Sequence, residues 1–175
     1  GPKTPVPGGW SNATGVLTPG RYAMLCFIGD SANRPHFTLG MEKELVVTGA
    51  TKAVLPAADR TVDLSDYTFG IPATLPAGKQ TWKFVNTAGQ EHEALLVMLA
   101  PGTTQAAFAE WVGGGMKGPP PAMPVGGISG LAPGGASEVA FDLTPGSYVL
   151  ICFIPDAKDG KDHWTHGMMK GFEVR

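Results

Sequence analysis

The chain has 175 residues, a formal net charge of −2 and a sequence pI near 6.1. No two Lys or Arg residues are adjacent, so the sequence offers no basic patch and predicts no nucleic-acid partner. The longest apolar runs, residues 94–100 and 148–154, are too short to cross a bilayer, and we expect no membrane span.

The composition favours turns over long helices. The chain has 25 glycines and 16 prolines with only 16% charged residues, which predicts an all-β protein. It begins Gly1-Pro2, without a charged segment leading into an apolar one, so we expect a processed chain whose export signal has been removed. Two cysteines are too few for a disulfide framework.

The first clear feature along the chain is an internal repeat. Residues 17–28, LTPGRYAMLCFI, match residues 143–154, LTPGSYVLICFI, at eight of twelve positions. The similarity continues from residues 35–41 to residues 162–168. The two copies lie about 126 residues apart, and the first copy lacks its upstream half.

The repeat predicts three regions. Residues 1–48 form an N-terminal arm and a partial repeat, residues 49–60 a linker, and residues 61–175 a complete domain. Either an upstream segment has been lost, or the partial repeat packs on the complete domain or on another subunit. A homodimer through residues 1–48 is therefore one expected arrangement.

In the complete domain, alternating or continuous apolar residues predict six strands. Residues 73–79 read as a turn, and the run at 94–99 is apolar throughout, so both of its faces should be buried. The short spacing of the strands is typical of a Greek-key sandwich or barrel. The predicted strands are residues 61–69, 81–85, 94–99, 137–143, 147–154 and 170–174.

Only residues 103–112 predict a convincing helix. A threonine can cap its start, and Phe108, Trp111 and Val112 fall on one side at helical spacing. Residues 115–135, which include three consecutive prolines, are expected to form a long loop.

Four residues form a candidate metal site. Cys152 ends a strand, His163 and Met168 follow a polar loop, and His92 lies just beyond the end of an upstream strand. Thiolate and thioether are soft ligands and imidazole is a borderline one, which suits copper. Two nitrogens and a thiolate with a weak fourth ligand accommodate both Cu(I) and Cu(II), so little rearranges when one electron moves.

At these residues the sequence resembles the cupredoxins, the plastocyanin and azurin family of blue-copper proteins. The stretch NTAGQEH, which ends at His92, is similar to their first-ligand motif, PGSY to their penultimate strand, and HWTHGM to their second histidine and axial methionine. The resemblance covers residues 61–175 and implies a cupredoxin-type sandwich with one short helix. It implies imidazole ligands from His92 and His163, a thiolate from Cys152 and an axial thioether from Met168.

One feature departs from that family, because ten residues separate Cys152 from His163 where most cupredoxins have only a few. A longer loop constrains the histidine less and costs more entropy to close. A turn at Asp159-Gly160 can fold the excess outward. His166 and Met169 are alternates for the histidine and the axial methionine.

The partial repeat carries a weaker second set of candidate ligands. Cys26, His36 and Met41 repeat the second half of the pattern, but no residue there corresponds to His92. The preferred interpretation is that this copy retains the sequence by descent and binds nothing. A disulfide from Cys26 to Cys152 is disfavoured, because equivalent positions of related units usually lie far apart.

These patterns predict a type 1 copper protein that carries one electron to or from a redox protein, outside the cytoplasm. Electron entry is expected beside His163, which we place toward the surface near Trp164 and residues 118–124.

An enzyme is not expected, because a zinc hydrolase would show an HExxH motif and a multicopper oxidase would show His-x-His pairs. The alternatives are a metal-free binding or assembly module and a copper storage or delivery protein.

Overall fold

The computed structural model describes residues 2–3, 8–50 and 53–175. It divides the chain into two compact units. The smaller unit is Val16–Val54, and the larger one combines residues 1–15 with Leu55–Arg175. The division into regions 1–48, 49–60 and 61–175 stays a prediction.

The smaller unit is an antiparallel hairpin of two strands, β1 (Gly20–Leu25) and β2 (Glu42–Val47). A short 3-10 helix, His36–Leu39, lies in the connection between them. Most large apolar side chains of this unit are exposed, Phe27 by 71% and Val46 by 58%. The hairpin therefore has little core of its own.

The larger unit is a sandwich of two sheets. Its strands are β3 (Arg60–Ser65), β4 (Thr68–Gly70), β5 (Thr74–Leu75), β6 (Gly78–Asn86), β7 (His92–Leu99), β8 (Ala122–Leu131), β9 (Ala136–Leu143), β10 (Gly146–Ile151) and β11 (Met169–Val174). One sheet has the strand order β5-β11-β10-β7-β8 and the other β4-β3-β6-β9. An α-helix, α1 (Gln105–Gly113), connects β7 to β8, and Thr104 caps it by accepting a hydrogen bond from the Ala107 amide.

This architecture confirms the predicted all-β Greek-key sandwich with one short helix. Strand β6 shows why it forms: Trp82 and Phe84 are fully buried between the sheets, while the intervening Lys83 lies on the other face, half-buried. The Trp82 ring meets that of Phe141 edge-on, with 4.8 Å between centroids. Aromatic contacts of this kind fill the space between the two sheets.

Strand β7 is buried on both faces, as its apolar run predicted. Leu96 points into the core between the sheets, while Val97 and Leu99 form a second cluster with Phe108 and Val112 of α1. The helix therefore covers the outer face of the sheet. Because β7 packs against the core on one face and against α1 on the other, side chains at its end are held in fixed positions.

Three details of the predicted elements were wrong. The expected loop at 115–135 contains β8, an edge strand whose pairing with β7 is interrupted by two register shifts. The sequence did not predict this strand because Pro124, Gly126 and Gly127 are more typical of a loop. Within a sheet, proline is tolerated only at edge strands or bulges. The expected strand at 61–69 is a hairpin of β3 and β4, and the turn at 73–79 includes β5.

Asn12 and Thr14, in the part of the larger unit that precedes the hairpin, lie along β9, at the edge of its sheet. Thr14 and Glu138 exchange backbone hydrogen bonds of 2.7 and 2.8 Å, and the Asn12 side chain bonds the backbone of Ala140. These residues cover part of an edge that would otherwise offer unpaired backbone groups to another chain. Among the described residues, no helix has the length and apolar character that crossing a membrane requires.

Candidate metal centre

Three of the predicted ligands meet at one end of the sandwich. His92 begins β7, Cys152 directly follows β10, and His163 opens a short 3-10 helix, His163–His166. Strands β7 and β10 pair antiparallel, so the start of the first lies beside the end of the second. One ligand atom from each of the three side chains lies within 4.8 Å of the other two.

The donor atoms face one another. His92 Nδ1 lies 3.0 Å from His163 Nδ1, and Cys152 Sγ lies 3.4 Å from the same His163 nitrogen. All three residues are fully buried. The Cys152 sulfur also accepts a hydrogen bond from the Glu93 amide at 3.4 Å. The arrangement presents two imidazole nitrogens and one sulfur to a common point, which fits a metal ion with nitrogen and thiolate ligands.

Met168 lies in the same buried core cluster as Cys152 and is itself fully buried. The Cys152 amide donates to the Met168 carbonyl at 3.2 Å, and the Met168 amide donates to the His163 carbonyl at 3.0 Å. Gly167 ends the 3-10 helix in the left-handed region, with φ of 107°, and so turns the chain into β11. These contacts tie the cysteine, histidine and methionine segments together through the backbone.

The ten residues between Cys152 and His163 form a compact turn rather than an open loop. Pro155 and Asp162 form a β-bridge, and the Asp156 amide donates to the Lys161 carbonyl at 2.7 Å. Gly160 adopts a φ of 71°, which the turn requires. The added length is thus closed by its own hydrogen bonds.

The two alternates do not join the group of three. His166 is exposed and its Nε2 lies 3.2 Å from Asp159 Oδ1, in a separate cluster that also includes Asp156. Met169 packs against the outer cluster beneath α1. Successive residues of a strand point to opposite faces, so Met168 and Met169 cannot both point to the core.

Two carboxylates behind the imidazoles were missed by the sequence analysis. Asp66, in the turn between β3 and β4, places Oδ1 2.8 Å from His92 Nε2. Asp156 Oδ2 lies 3.8 Å from His163 Nε2, and that nitrogen is buried without a hydrogen-bond partner. Carboxylates in such positions orient metal-binding histidines and raise their basicity. No spacing in the sequence links Asp66 to His92; only the folded sheet does.

Asp156 is also the centre of a polar cap over His163. It accepts hydrogen bonds from the Tyr67 hydroxyl at 2.6 Å and from Gln90 Nε2 at 3.0 Å. The Tyr67 bond, followed by those of Gln90 and the Lys158 amide, holds the pKa of Asp156 well below its usual range. The same bond raises the pKa of Tyr67.

The cap corrects the expected position of His163. The Tyr67 ring meets the His163 ring edge-on at 5.4 Å between centroids, and His163 is fully buried. The expectation that His163 lies toward the surface was therefore wrong, while electron entry beside Trp164 and residues 118–124 stays a prediction. The long loop that follows Cys152 supplies Asp156, which holds Tyr67 over the imidazole.

Burial sets the protonation of the donors. It raises the pKa of Cys152 to about 11, and burial together with nearby His92 lowers the pKa of His163. Both shifts favour uncharged donors, as expected where charge is poorly solvated. A cation bound by these donors would favour the thiolate form of Cys152 over the thiol, because a coordinated thiol is deprotonated.

The weaker second set lies in the smaller unit. Cys26 Sγ is 3.6 Å from His36 Nδ1, and the Cys26 amide donates to the Met41 carbonyl at 3.2 Å. Cys26 and Cys152 are both free, as the sequence analysis favoured.

No family model matches the sequence, and no curated protein sequence matches it. Among solved structures, reduced auracyanin from Roseiflexus castenholzii is 24% identical, covers 66% of this chain and 95% of its own, and has a TM-score of 0.46. Auracyanin A, a blue copper protein from Chloroflexus aurantiacus, is 24% identical over 66% of this chain and 96% of its own, with a TM-score of 0.41. A copper-containing nitrite reductase from Thermus scotoductus is 20% identical over 75% of this chain and 25% of its own, with a TM-score of 0.35.

TM-scores below 0.5 say nothing about what this chain binds. The strand order itself gives the larger unit a cupredoxin-like fold of two facing sheets. His92 begins β7, and Cys152 follows the neighbouring strand β10. The resemblance in the sequence and the architecture of the structure agree on this class.

The polar cap predicts a pH-dependent effect of Tyr67→Phe on the metal-free protein. Because the folded-state pKa of Asp156 lies below its ordinary 3.8, the ionised carboxylate stabilises the fold above about pH 4. That contribution is lost progressively as the pH falls below this value. We expect Tyr67→Phe to lower the urea midpoint at pH 6, and the difference from the parent chain to shrink toward pH 3.

Tyr148→Phe is the matched control, because the Tyr148 hydroxyl donates to a backbone carbonyl, that of Thr144, at 2.9 Å. Its effect on the midpoint should be the same at both pH values. A difference for Tyr67→Phe that does not change with pH would contradict the role given to Asp156.

Proposed function

We propose that the larger unit binds one copper ion as a type 1 centre and carries one electron between redox partners. His92 and His163 would supply Nδ1, Cys152 would supply the thiolate, and Met168 would supply a weak thioether ligand. The observation that carries this proposal is the convergence of one nitrogen from each imidazole and the sulfur, within 4.8 Å of one another, at a fully buried position.

The donor types favour copper over other metals. Two imidazoles and one thiolate with a weak thioether form the ligand set of blue-copper electron-transfer sites. Copper in such a site supplies a one-electron couple between Cu(I) and Cu(II). A catalytic zinc site would instead keep an open position for water or substrate. Here Met168 is fully buried and its backbone is bonded to those of Cys152 and His163, which suits a fourth protein ligand and hence a carrier.

The protein holds the donors still. Strand β7 is packed on both faces, which fixes His92, and Asp66 holds the far nitrogen of its ring. The backbone hydrogen bond from Cys152 to Met168, and that from Met168 to His163, fix the other side. Small reorganisation on gain or loss of an electron is the functional consequence of that rigidity.

Electron entry in this proposal runs through Tyr67. It is half-buried, and its ring lies against both His163 and His166, with 4.9 Å between the centroids of Tyr67 and His166. A redox protein would thus dock over an aromatic and carboxylate surface. A location outside the cytoplasm belongs to the same proposal, since cytosolic thiols compete for soft metals.

Association through residues 1–48 is also proposed. The β1–β2 hairpin leaves Phe27 and Val46 exposed, and an isolated hairpin is at best marginally stable in water. A homodimer would cover these side chains. Light scattering over a range of protein concentrations should show the association, and a strict monomer would contradict it.

The copper assignment predicts a coloured protein. With one equivalent of Cu(II), the purified chain should show an intense visible thiolate-to-copper band, and Cys152→Ser and His92→Ala should each abolish it. Cys26→Ser and His166→Ala are the matched controls and should keep the band. A colourless chain without tight copper would favour a metal-free binding module. Cu(I) binding without redox cycling would favour storage or delivery.

Asp66 should tune the reduction potential. Its contact with His92 Nε2 at 2.8 Å makes the imidazole a better donor, which favours Cu(II) over Cu(I). If Asp66→Asn weakens Cu(II) binding tenfold and leaves Cu(I) binding unchanged, the potential rises by about 59 mV. Voltammetry measures this directly.

Asp63→Asn removes an exposed carboxylate from β3, the strand that leads into the turn with Asp66, and is the charge-matched control. It should leave the potential nearly unchanged. An equal rise in both variants would mean that only the net charge matters, and an unchanged potential in Asp66→Asn would remove Asp66 from the site.

A further inference from the structure

We propose that the smaller unit carries a second metal site, selective for Cu(I), formed by Cys26, His36 and Met41. The sequence alone favoured a copy that binds nothing, and the proposed site departs from that expectation. The site lies in another part of the chain and does not depend on the type 1 centre. It rests on a backbone frame that repeats the one around Cys152, on the distance between two donor atoms, and on the softness of the donor set.

The two hairpins share their strand register. In the smaller unit β1 pairs with β2 from Gly20 with Val47 to Leu25 with Glu42. In the larger unit β10 pairs with β11 over the same number of positions, six in each case. The cysteine follows the first strand in both, and its amide donates to the methionine carbonyl at 3.2 Å in both.

The connections between the strands also share their hydrogen bonds. The His36 amide donates to the Ile28 carbonyl at 2.8 Å, and the Phe37 amide donates to the Cys26 carbonyl at 2.9 Å. The equivalent bonds around His163 measure 2.9 and 3.0 Å. The Met41 amide donates to the His36 carbonyl at 3.0 Å, as its counterpart does in the larger unit. Gly40 ends the 3-10 helix with a φ of 95°, in the left-handed region.

This frame brings the two strongest donors together. Cys26 Sγ lies 3.6 Å from His36 Nδ1, compared with 3.4 Å for Cys152 and His163. The same ring nitrogen faces the sulfur in both places. Asp30 fixes the loop between them, since it accepts hydrogen bonds from the Arg34 guanidinium at 2.7 Å and from the Ala32 amide at 2.8 Å. The donors are therefore positioned by the protein itself.

Access and ligand number distinguish this site from the buried one. Cys26 and His36 are half-buried, and Met41 is 59% exposed. A groove of about 410 Å³ lies over Cys26 and is lined by Met41 and Met24. The chain has only four histidines, at positions 36, 92, 163 and 166, so this unit has no second imidazole of its own.

Without a second imidazole the donor set is one nitrogen and two sulfurs. Thiolate and thioether ligands select Cu(I), whereas Cu(II) prefers more nitrogen or oxygen ligands in a tetragonal arrangement. Binding replaces the Cys26 thiol proton with a sulfur–copper bond and releases that proton to water. No electron is transferred in this step. The open groove allows copper to enter and leave, unlike the enclosed donors of the larger unit.

The test is an anaerobic titration of the Cys152→Ser chain with Cu(I) against a chromophoric Cu(I) chelator. This variant lacks the thiolate of the type 1 site, so we expect one Cu(I) per chain that competes with the chelator. Adding Cys26→Ser should abolish this binding, and adding Met41→Ser should weaken it at least tenfold. Met123→Ser is the matched control, because Met123 is 70% exposed and lies on β8.

Three results would overturn the site: no competing Cu(I) in Cys152→Ser, unchanged binding after Cys26→Ser, or equal losses for Met41→Ser and Met123→Ser. A further variant adds His36→Gln to Cys152→Ser, and it should also bind Cu(I) more weakly. Because glutamine is similar in size to histidine, this result would show that the loss in the other variants does not come from a hairpin that fails to fold. Absence of the visible band with Cu(II) in the parent chain would reject the type 1 centre alone. The two proposals therefore fail separately.

Discussion

Strands β7 and β10 pair antiparallel at the centre of the larger sheet, with Leu95 opposite Ile151. This register places His92, at the start of one strand, beside Cys152, just past the end of the other. A shift of one residue would turn each side chain to the opposite face of the sheet. Leu96 is packed in the core between the sheets and Val97 and Leu99 in the cluster with α1, so a shift would disrupt both sets of contacts. The packing of the core thereby also fixes the positions of the donors.

The same packing places the donors where charge is costly. Burial favours the neutral Cys152 thiol and the neutral His163 imidazole, and these tendencies oppose the ionised thiolate that a metal site needs. The polar cap lies just outside this apolar zone. Asp156 stays ionised because Tyr67 and Gln90 donate hydrogen bonds to it, and it provides negative charge close to the His163 ring.

The sequence predicted the sandwich, the helix and the strand at 94–99 with both faces buried, because alternation, capping and continuous apolar runs are local signals. Strand β8 was missed because Pro124 and two glycines are typical of a loop. Its strand character depends on its pairing with β7, which the sequence does not show. His92, Cys152 and His163 were recognised as a set from their motifs. Asp66 was not, because its approach to His92 depends on the parallel pairing of β3 with β6, a contact without a local sequence signal.

The N-terminal arm extends the electrostatic surroundings of the sulfur beyond the sandwich. Lys3 Nζ lies 2.6 Å from Glu93 Oε2, while Glu93 Oε1 accepts the Phe153 amide at 2.9 Å, and the Glu93 amide itself donates to Cys152 Sγ. Glu93 is almost fully buried, so without Lys3 its carboxylate would be an uncompensated negative charge. Lys3 is thus a counter-charge for the buried centre, and a change at this residue would alter the electrostatic surroundings of the Cys152 sulfur.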